Sequence, residues 1–115
     1  MIELVLSRSP NQVVRITEDL KMENAREFYE DFLAVHEPGV TEVFLDFREV
    51  RFVDSSGIGI LLKCEKDLKD RGASISIFGL GKSLHSVFKL AGLLPVLSHY
   101  DDEEMKAKFP ELFSS

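Results

Sequence analysis

The chain predicts an α/β domain built on a mixed sheet, and three observations carry that prediction. Two short strand-like runs, Ile2 to Leu6 and Gln12 to Thr17, follow each other at the start. From Met22 onward, segments with apolar residues at helical spacing alternate with short apolar runs. The whole is 115 residues long, the size of one domain. Two strands first and helix–strand alternation afterwards give a sheet of mixed direction with helices against it.

Ser7-Arg8-Ser9-Pro10-Asn11 has turn chemistry, so the first two runs read as a hairpin with a longish loop. A helix is expected over Met22 to His36, where Ala25, Phe28, Tyr29, Phe32 and Leu33 share one face and acids and Arg26 lie elsewhere. Glu37-Pro38-Gly39 stops it. Thr41 to Phe47 shows little alternation, as a central strand covered on both faces should. The next helix opens near Ser55 and runs to about Arg71. Lys69 and Arg71 suit its negative end, and Gly72 turns the chain out of it. Ala73 to Phe78 is a strand in which Ile75 and Ile77 alternate with Ser74 and Ser76. After the loop Gly79-Leu80-Gly81, a helix begins at Lys82 or Ser83, with Leu84, Val87, Phe88 and Ala91 as its core face, and Gly92 ends it. Pro95 to His99 reads as a short edge strand, where proline is tolerated. Asp101 caps a last helix, Asp102 to Lys108, and Pro110 closes it. Residues 1–115 read as a single domain, with no internal repeat, low-complexity segment or linker.

Apolar residues make up 44% and charged residues 30%, the balance of an ordinary soluble globular protein. The net charge of -6 argues against nucleic acid or an anionic membrane as partner, since either favours a basic face; a basic protein partner is compatible with it. The one cysteine, Cys64, excludes an internal disulfide framework and suits a reducing compartment. No apolar run approaches the ~18–20 residues of a membrane span. Met1-Ile2-Glu3-Leu4 lacks the basic start and long apolar stretch of a signal peptide. A cytoplasmic protein is expected.

The stretch from Phe52 to Leu62 organises the rest. An apolar run, Val43-Phe44-Leu45, leads towards it, and Ile58, Leu61, Leu62 and Leu68 follow at helical spacing. Between them stand Asp54, Ser55, Ser56 and Gly57, the residue types that write a helix N-terminus. The free N–H groups and the dipole there favour negative charge. A hydroxyl at that spot could carry a phosphate at low electrostatic cost.

Asp54-Ser55-Ser56-Gly57-Ile58-Gly59 resembles the D-S-[ST]-G-[LI]-G signature of STAS domains, and in particular that of stand-alone anti-sigma factor antagonists of bacteria. The order of segments along essentially the whole chain is also similar to the family's. The resemblance implies a STAS-like single domain, with a small mixed β-sheet and about four helices packed mainly on one face. It implies a regulator of transcription that is not an enzyme and needs no cofactor. Unphosphorylated, such a protein binds an anti-sigma factor and frees a sigma factor. The anti-sigma factor, acting as a serine kinase, phosphorylates it and is released, and a phosphatase resets it. In the family the serine directly after the signature aspartate is modified. By position that is Ser55, with Ser56 as fallback. Asp54 would orient the hydroxyl or meet the kinase, and Ser56, Gly57, Ile58 and Gly59 would lie against the partner. Monomer and weak dimer are both compatible with the resemblance.

Each of these residues also has an ordinary reading. Ser55, Ser56 and Asp54 are common capping types, with first-turn N–H groups to satisfy. Gly57 is expected to let a partner approach the helix end, and Gly59 to let the helix sit close to the sheet. Ile58 is either an exposed partner contact or a core residue. Gly79-Leu80-Gly81-Lys82-Ser83 has the context of a phosphate-binding loop, after a strand and before a helix. The glycine that the full pattern needs five places before Gly81 is Ser76. The fragment is the nucleotide contact of a weak nucleotide-binding protein, or a turn whose cationic rim, Lys82, joins the docking surface. His36, His85 and His99 are far apart in sequence and Cys64 has no neighbouring ligand, so no metal site is expected. Asp101-Asp102-Glu103-Glu104 lacks the alternation and glycine of a calcium loop and reads as a helix start.

One element departs from the family. Many antagonists carry G-[ED]-[LI]-D after the second strand, and here Glu18-Asp19-Leu20-Lys21 stands in its place. In relatives that final aspartate lies near the modified serine and helps kinase recognition. Lys21 reverses the local charge and could pair with Asp54 or with a phosphate on Ser55. The change gives weight to a divergent partner, or to a non-phosphorylated STAS interaction module of another assembly, of the stressosome or lipid-transport type.

Overall fold

Five strands lie side by side in chain order: β1 (Ile2–Arg8), β2 (Asn11–Ile16), β3 (Glu42–Asp46), β4 (Ser74–Phe78) and β5 (Ser98–Tyr100). The computed structural model describes residues 1–114. β1 and β2 are antiparallel, and every later neighbour is parallel. Helices α1 (Ala25–Val35), α2 (Ser55–Asp70) and α3 (Lys82–Leu90) connect the parallel strands. α4 (Asp102–Lys108) and a 3-10 turn over Pro110–Phe113 follow β5.

Strand side chains alternate between faces, and here both faces are covered. Val14, Val43, Leu45, Ile75 and Ile77 pack with Phe28 and Phe32 of α1, Leu61 and Leu68 of α2 and Phe88 of α3. Val13, Phe44 and Phe78 point the other way, against Met105 and Phe109. Three helices therefore share one face, and α4 with the 3-10 turn closes the second. This explains why β3 does not alternate: Val43, Phe44 and Leu45 are all buried. Each such side chain taken out of water contributes about 1.5–3 kcal/mol before the cost of ordering the chain.

The structure shifts several expected boundaries. The hairpin has no long loop: Ser9 and Pro10 alone separate β1 from β2, and their peptide bond is cis. α1 starts at Ala25 rather than Met22, because Lys21–Asn24 is spent on a turn, with Asn24 and Ala25 N–H both donating to the Lys21 carbonyl. β5 covers Ser98–Tyr100 rather than Pro95–His99. In α3 only Leu84 and Phe88 are buried; Val87 and Ala91 of the expected core face are exposed. Gly72 does leave α2 as predicted, with φ 81, a conformation that costs a glycine little.

Candidate partner-docking site

Because β3 and β4 are parallel, their C-terminal ends face one edge of the sheet, and α2 and α3 both start there. The approach to α2 is pinned by a segment from before α1. Leu20 N–H donates to the Phe52 carbonyl (3.1 Å), and Asp54 N–H donates to the Leu20 carbonyl (3.1 Å), forming an isolated parallel bridge between Leu20 and Val53. The Asp19 carboxylate accepts from the N–H groups of Arg51 (2.8 Å) and Phe52 (3.2 Å). Asn24 braces this bracket, accepting from Lys21 N–H and donating to the Asp19 carbonyl. The segment Glu18-Asp19-Leu20-Lys21 is thus the structural neighbour of the α2 mouth.

Asp54 is the N-cap of α2. One carboxylate oxygen accepts from Gly57 N–H (2.9 Å) and the other from Met22 N–H (3.0 Å). The Gly57 hydrogen bond first, then the Met22 bond, hold this carboxyl below the usual range, and the charge of half-buried Lys21 acts in the same direction. Ser55, the first residue of α2, is exposed, and its hydroxyl makes no hydrogen bond among the described residues. Ser56 is half-buried. It lies beside a hollow of about 550 Å³ between α1 and α2, walled also by Met22, Arg26, Tyr29, Gly59 and Lys63.

The two signature glycines differ from expectation in how they are packed. Gly57 is buried, and a Cβ there would stand 2.7 Å from the Leu20 carbonyl oxygen and 2.7 Å from Val53 Cγ1. It lets the start of α2 pack tightly on the Leu20–Val53 bridge. Gly59 is exposed, and among the described residues no atom beyond its own turn of helix comes within 4 Å of where a Cβ would be, so it does not seat the helix on the sheet. Ile58 is half-buried against the main core, which favours its core reading. Lys82 stands exposed in the first turn of α3, on the same sheet edge. It lines a different hollow of about 890 Å³, with Arg48, Arg51, His99, Tyr100 and Asp101. The two hollows share no lining residue.

Sequence reasoning missed Met22 and Phe52 as surface residues. They are 71% and 52% exposed, and they flank the bracket under Ser55. Phe52 stands outside any periodic run, which is the available signal, whereas Met22 lies three residues before Ala25, at the start of the expected helix, and gives none. It also missed that His85 and His99, distant in sequence, place their rings 5.3 Å apart where α3 meets β5. Burial, and then the neighbouring His85, push the His99 pKa down. Among the described residues no group of three or more potential metal ligands occurs. Nor is any helix among them long and apolar enough to cross a membrane.

The family model described as Mlab, STAS domain, matches residues 4–97. The chain is 32% identical to the anti-sigma-B factor antagonist of Listeria monocytogenes serovar 1/2a over 53 residues, 46% of either protein. It is 26% identical to the anti-sigma F factor antagonist of Paenibacillus polymyxa over 61 residues, 53% of this chain and 52% of the relative. The matched part thus spans about half the length of these curated relatives. The fold superposes on the unphosphorylated anti-sigma factor antagonist SpoIIAA with a TM-score of 0.73 at 20% identity, covering 96% of this chain and 97% of that one. For the phosphorylated Bacillus SpoIIAA the TM-score is 0.66 at 21% identity, covering 94% and 98%. At such identities the likeness is one of fold.

Proposed function

We propose that this chain, which belongs to the STAS domain family, acts as an anti-sigma factor antagonist. Unphosphorylated, it docks on an anti-sigma factor through the mouth of α2 and the adjoining segments around Met22 and Phe52, and the sigma factor goes free. The partner, a serine kinase, phosphorylates Ser55 and is released; a phosphatase resets the protein. It works in the cytoplasm as a binding regulator, without catalysis of its own.

One observation carries this reading: Ser55 is exposed at a helix mouth with its hydroxyl unbonded among the described residues, while Asp54 does the capping. A phosphate on Ser55 adds about -1.5 to -2 charges at pH 7. The dipole of α2 favours that charge, and the ionised Asp54 beside it opposes it. The two effects offset within the domain, so the new charge and bulk act on a docked partner more than on the fold. The names of the curated relatives support the role, and SpoIIAA occurs in both phosphorylation states.

Lys21 favours a second reading, a non-phosphorylated STAS interaction module of another assembly. Its charge acts on Asp54 at the place where the resemblance implies an acid. Incubation with an anti-sigma factor kinase and ATP, followed by phosphosite mapping, separates the two. Phosphate on Ser55, retained binding by Ser55→Ala and lost binding by Ser55→Asp are expected. No phosphate on Ser55 or Ser56, together with unchanged binding by Ser55→Asp, removes the switch and leaves the module.

A further inference from the structure

The histidines have no ligand spacing in the sequence, yet the fold joins two of them. β5 runs parallel to β4 with His99 opposite Ile77, on the face that α3 covers. His85 stands near the start of α3, and the two ring centres are 5.3 Å apart with their planes inclined at 62°. An ion held ~2.1 Å from one nitrogen of each of two imidazoles, at a tetrahedral angle, keeps the ring centres ~5 Å apart. The pair is spaced as two ligands of one ion are. His99 is exposed and His85 half-buried, and among the described residues neither ring is hydrogen-bonded. His36 is the contrast: its Nε2 meets the Val40 carbonyl at 3.0 Å and its Nδ1 faces Arg71 at 3.3 Å.

The charge around the pair is mixed. Asp101 to Glu104 follow His99 closely, and the charges of Glu104 and Asp101 act on its ring. Lys82 and Lys89, a turn to either side of His85, oppose them; both are exposed and neither forms an ion pair among the described residues. At a distance the net charge of -6 favours cations.

We propose that His85 and His99 together bind one divalent transition-metal ion of the Zn²⁺ or Cu²⁺ class and so clamp α3 to the edge strand β5. Imidazole suits these ions, and Cu²⁺ is the tighter of the two at a given set of nitrogens. Ca²⁺ and Mg²⁺ take oxygen ligands and would not use the pair. No third ligand of this chain joins the two histidines among the described residues. Water fills the remaining positions, and the ion exchanges readily. The clamp acts on a strand of three residues that is paired on one side only. His99 also lines the 890 Å³ hollow, so occupancy stiffens its rim.

Titration of the full, untagged, ¹⁵N-labelled chain with Cu²⁺ alone and with Zn²⁺ alone tests this, at pH about 7.5 where an ordinary imidazole is neutral. Calorimetry should give one ion per chain, with Cu²⁺ the tighter. Paramagnetic broadening by Cu²⁺ should centre on His85, His99 and their neighbours in α3 and β5, and spare His36. His85→Ala and His99→Ala should each weaken binding by at least the roughly tenfold that disturbing a ligand's support costs. His85→Gln and His99→Gln, closer in size, should do the same, and the wild-type broadening needs no variant at all. Saturating Zn²⁺ should slow amide exchange in β5 of wild type and not of H85A/H99A. The site is overturned by non-saturable binding, by equal binding in H85A/H99A, or by broadening centred on His36 or on the Met1 amine. Displacement by excess Ca²⁺ also overturns it, since the ion would then belong to the acids after His99. Binding at the pair with unchanged exchange in β5 overturns the clamp.

Discussion

The Asp54 carboxylate accepts a 3.0 Å hydrogen bond from the backbone N–H of Met22, across the gap between the starts of α1 and α2. Its other oxygen takes Gly57 N–H inside α2. One side chain thus caps one helix and anchors the lead-in to the other. Ser55, next in the chain, is held at the surface by a neighbour that is itself tied on two sides.

The first prediction concerns acid. The hydrogen bonds from Gly57 and Met22 hold Asp54 below its ordinary pKa. A folded-state pKa below the unfolded value of about 3.9 means stability that is complete above that value and lost as pH falls through the folded one. Asp54→Asn should be less stable than wild type at neutral pH, and the gap should narrow below about pH 4. Urea denaturation at several pH values checks this; a gap constant down to the acid limit would falsify the assignment.

Gly57→Ala and Gly59→Ala should move stability in opposite directions. The Gly57 methyl would press on the Leu20 carbonyl, which is itself bonded to Asp54 N–H, so the bracket must give. A loss of about 1–3 kcal/mol is expected. The Gly59 methyl enters open space, and alanine is the better helix former by up to about 1 kcal/mol. Chemical denaturation of the pair reads this directly, and equal losses in the two variants would return Gly59 to a packing role.

These glycines also mark where the sequence stopped being legible. Local rules wrote α4 to the residue: Asp101 caps, Glu104 completes a capping box, and the helix spans Asp102–Lys108. The parallel order and the covered β3 followed from segment order and from an apolar run without alternation. Spacing alone gives the face of a helix a residue occupies, but not what stands opposite. Which of Gly57 and Gly59 is packed and which is open was therefore hidden, because the Leu20–Val53 bridge joins segments 33 residues apart and has no local pattern. The meeting of His85 with His99 was hidden for the same reason.

Arg48→Ala should loosen the C-terminus. Asp46 is fully buried at the end of β3 and accepts from Arg48 Nη2 (2.9 Å) and Arg15 Nε (3.1 Å). The Arg48 guanidinium also lies 4.8 Å from the centre of the Phe113 ring and donates to the Leu112 carbonyl (3.1 Å). Arg15 remains after the substitution, so the cost should be about 2–3 kcal/mol, below the ~3–5 of a buried pair left with no partner. Hydrogen exchange should rise at Leu112 and Phe113 more than in β3. A uniform rise would mean that the guanidinium serves the sheet and not the tail.

Cys64 offers a probe that separates charge from unfolding. It is buried in α2, seven residues beyond Gly57, and burial pushes its thiol up to about 12. The thiolate is the reactive form, so a disulfide reagent at about pH 8 should label it only when α2 opens. Gly57→Ala, which strains the seat of that helix, should speed labelling. Ser55→Asp should leave the rate near that of wild type, because its charge sits in solvent at the helix mouth where the dipole favours it. If Ser55→Asp labels as fast as Gly57→Ala, the charge acts by loosening α2, and release of a partner would follow from a change of fold and not from repulsion at the surface.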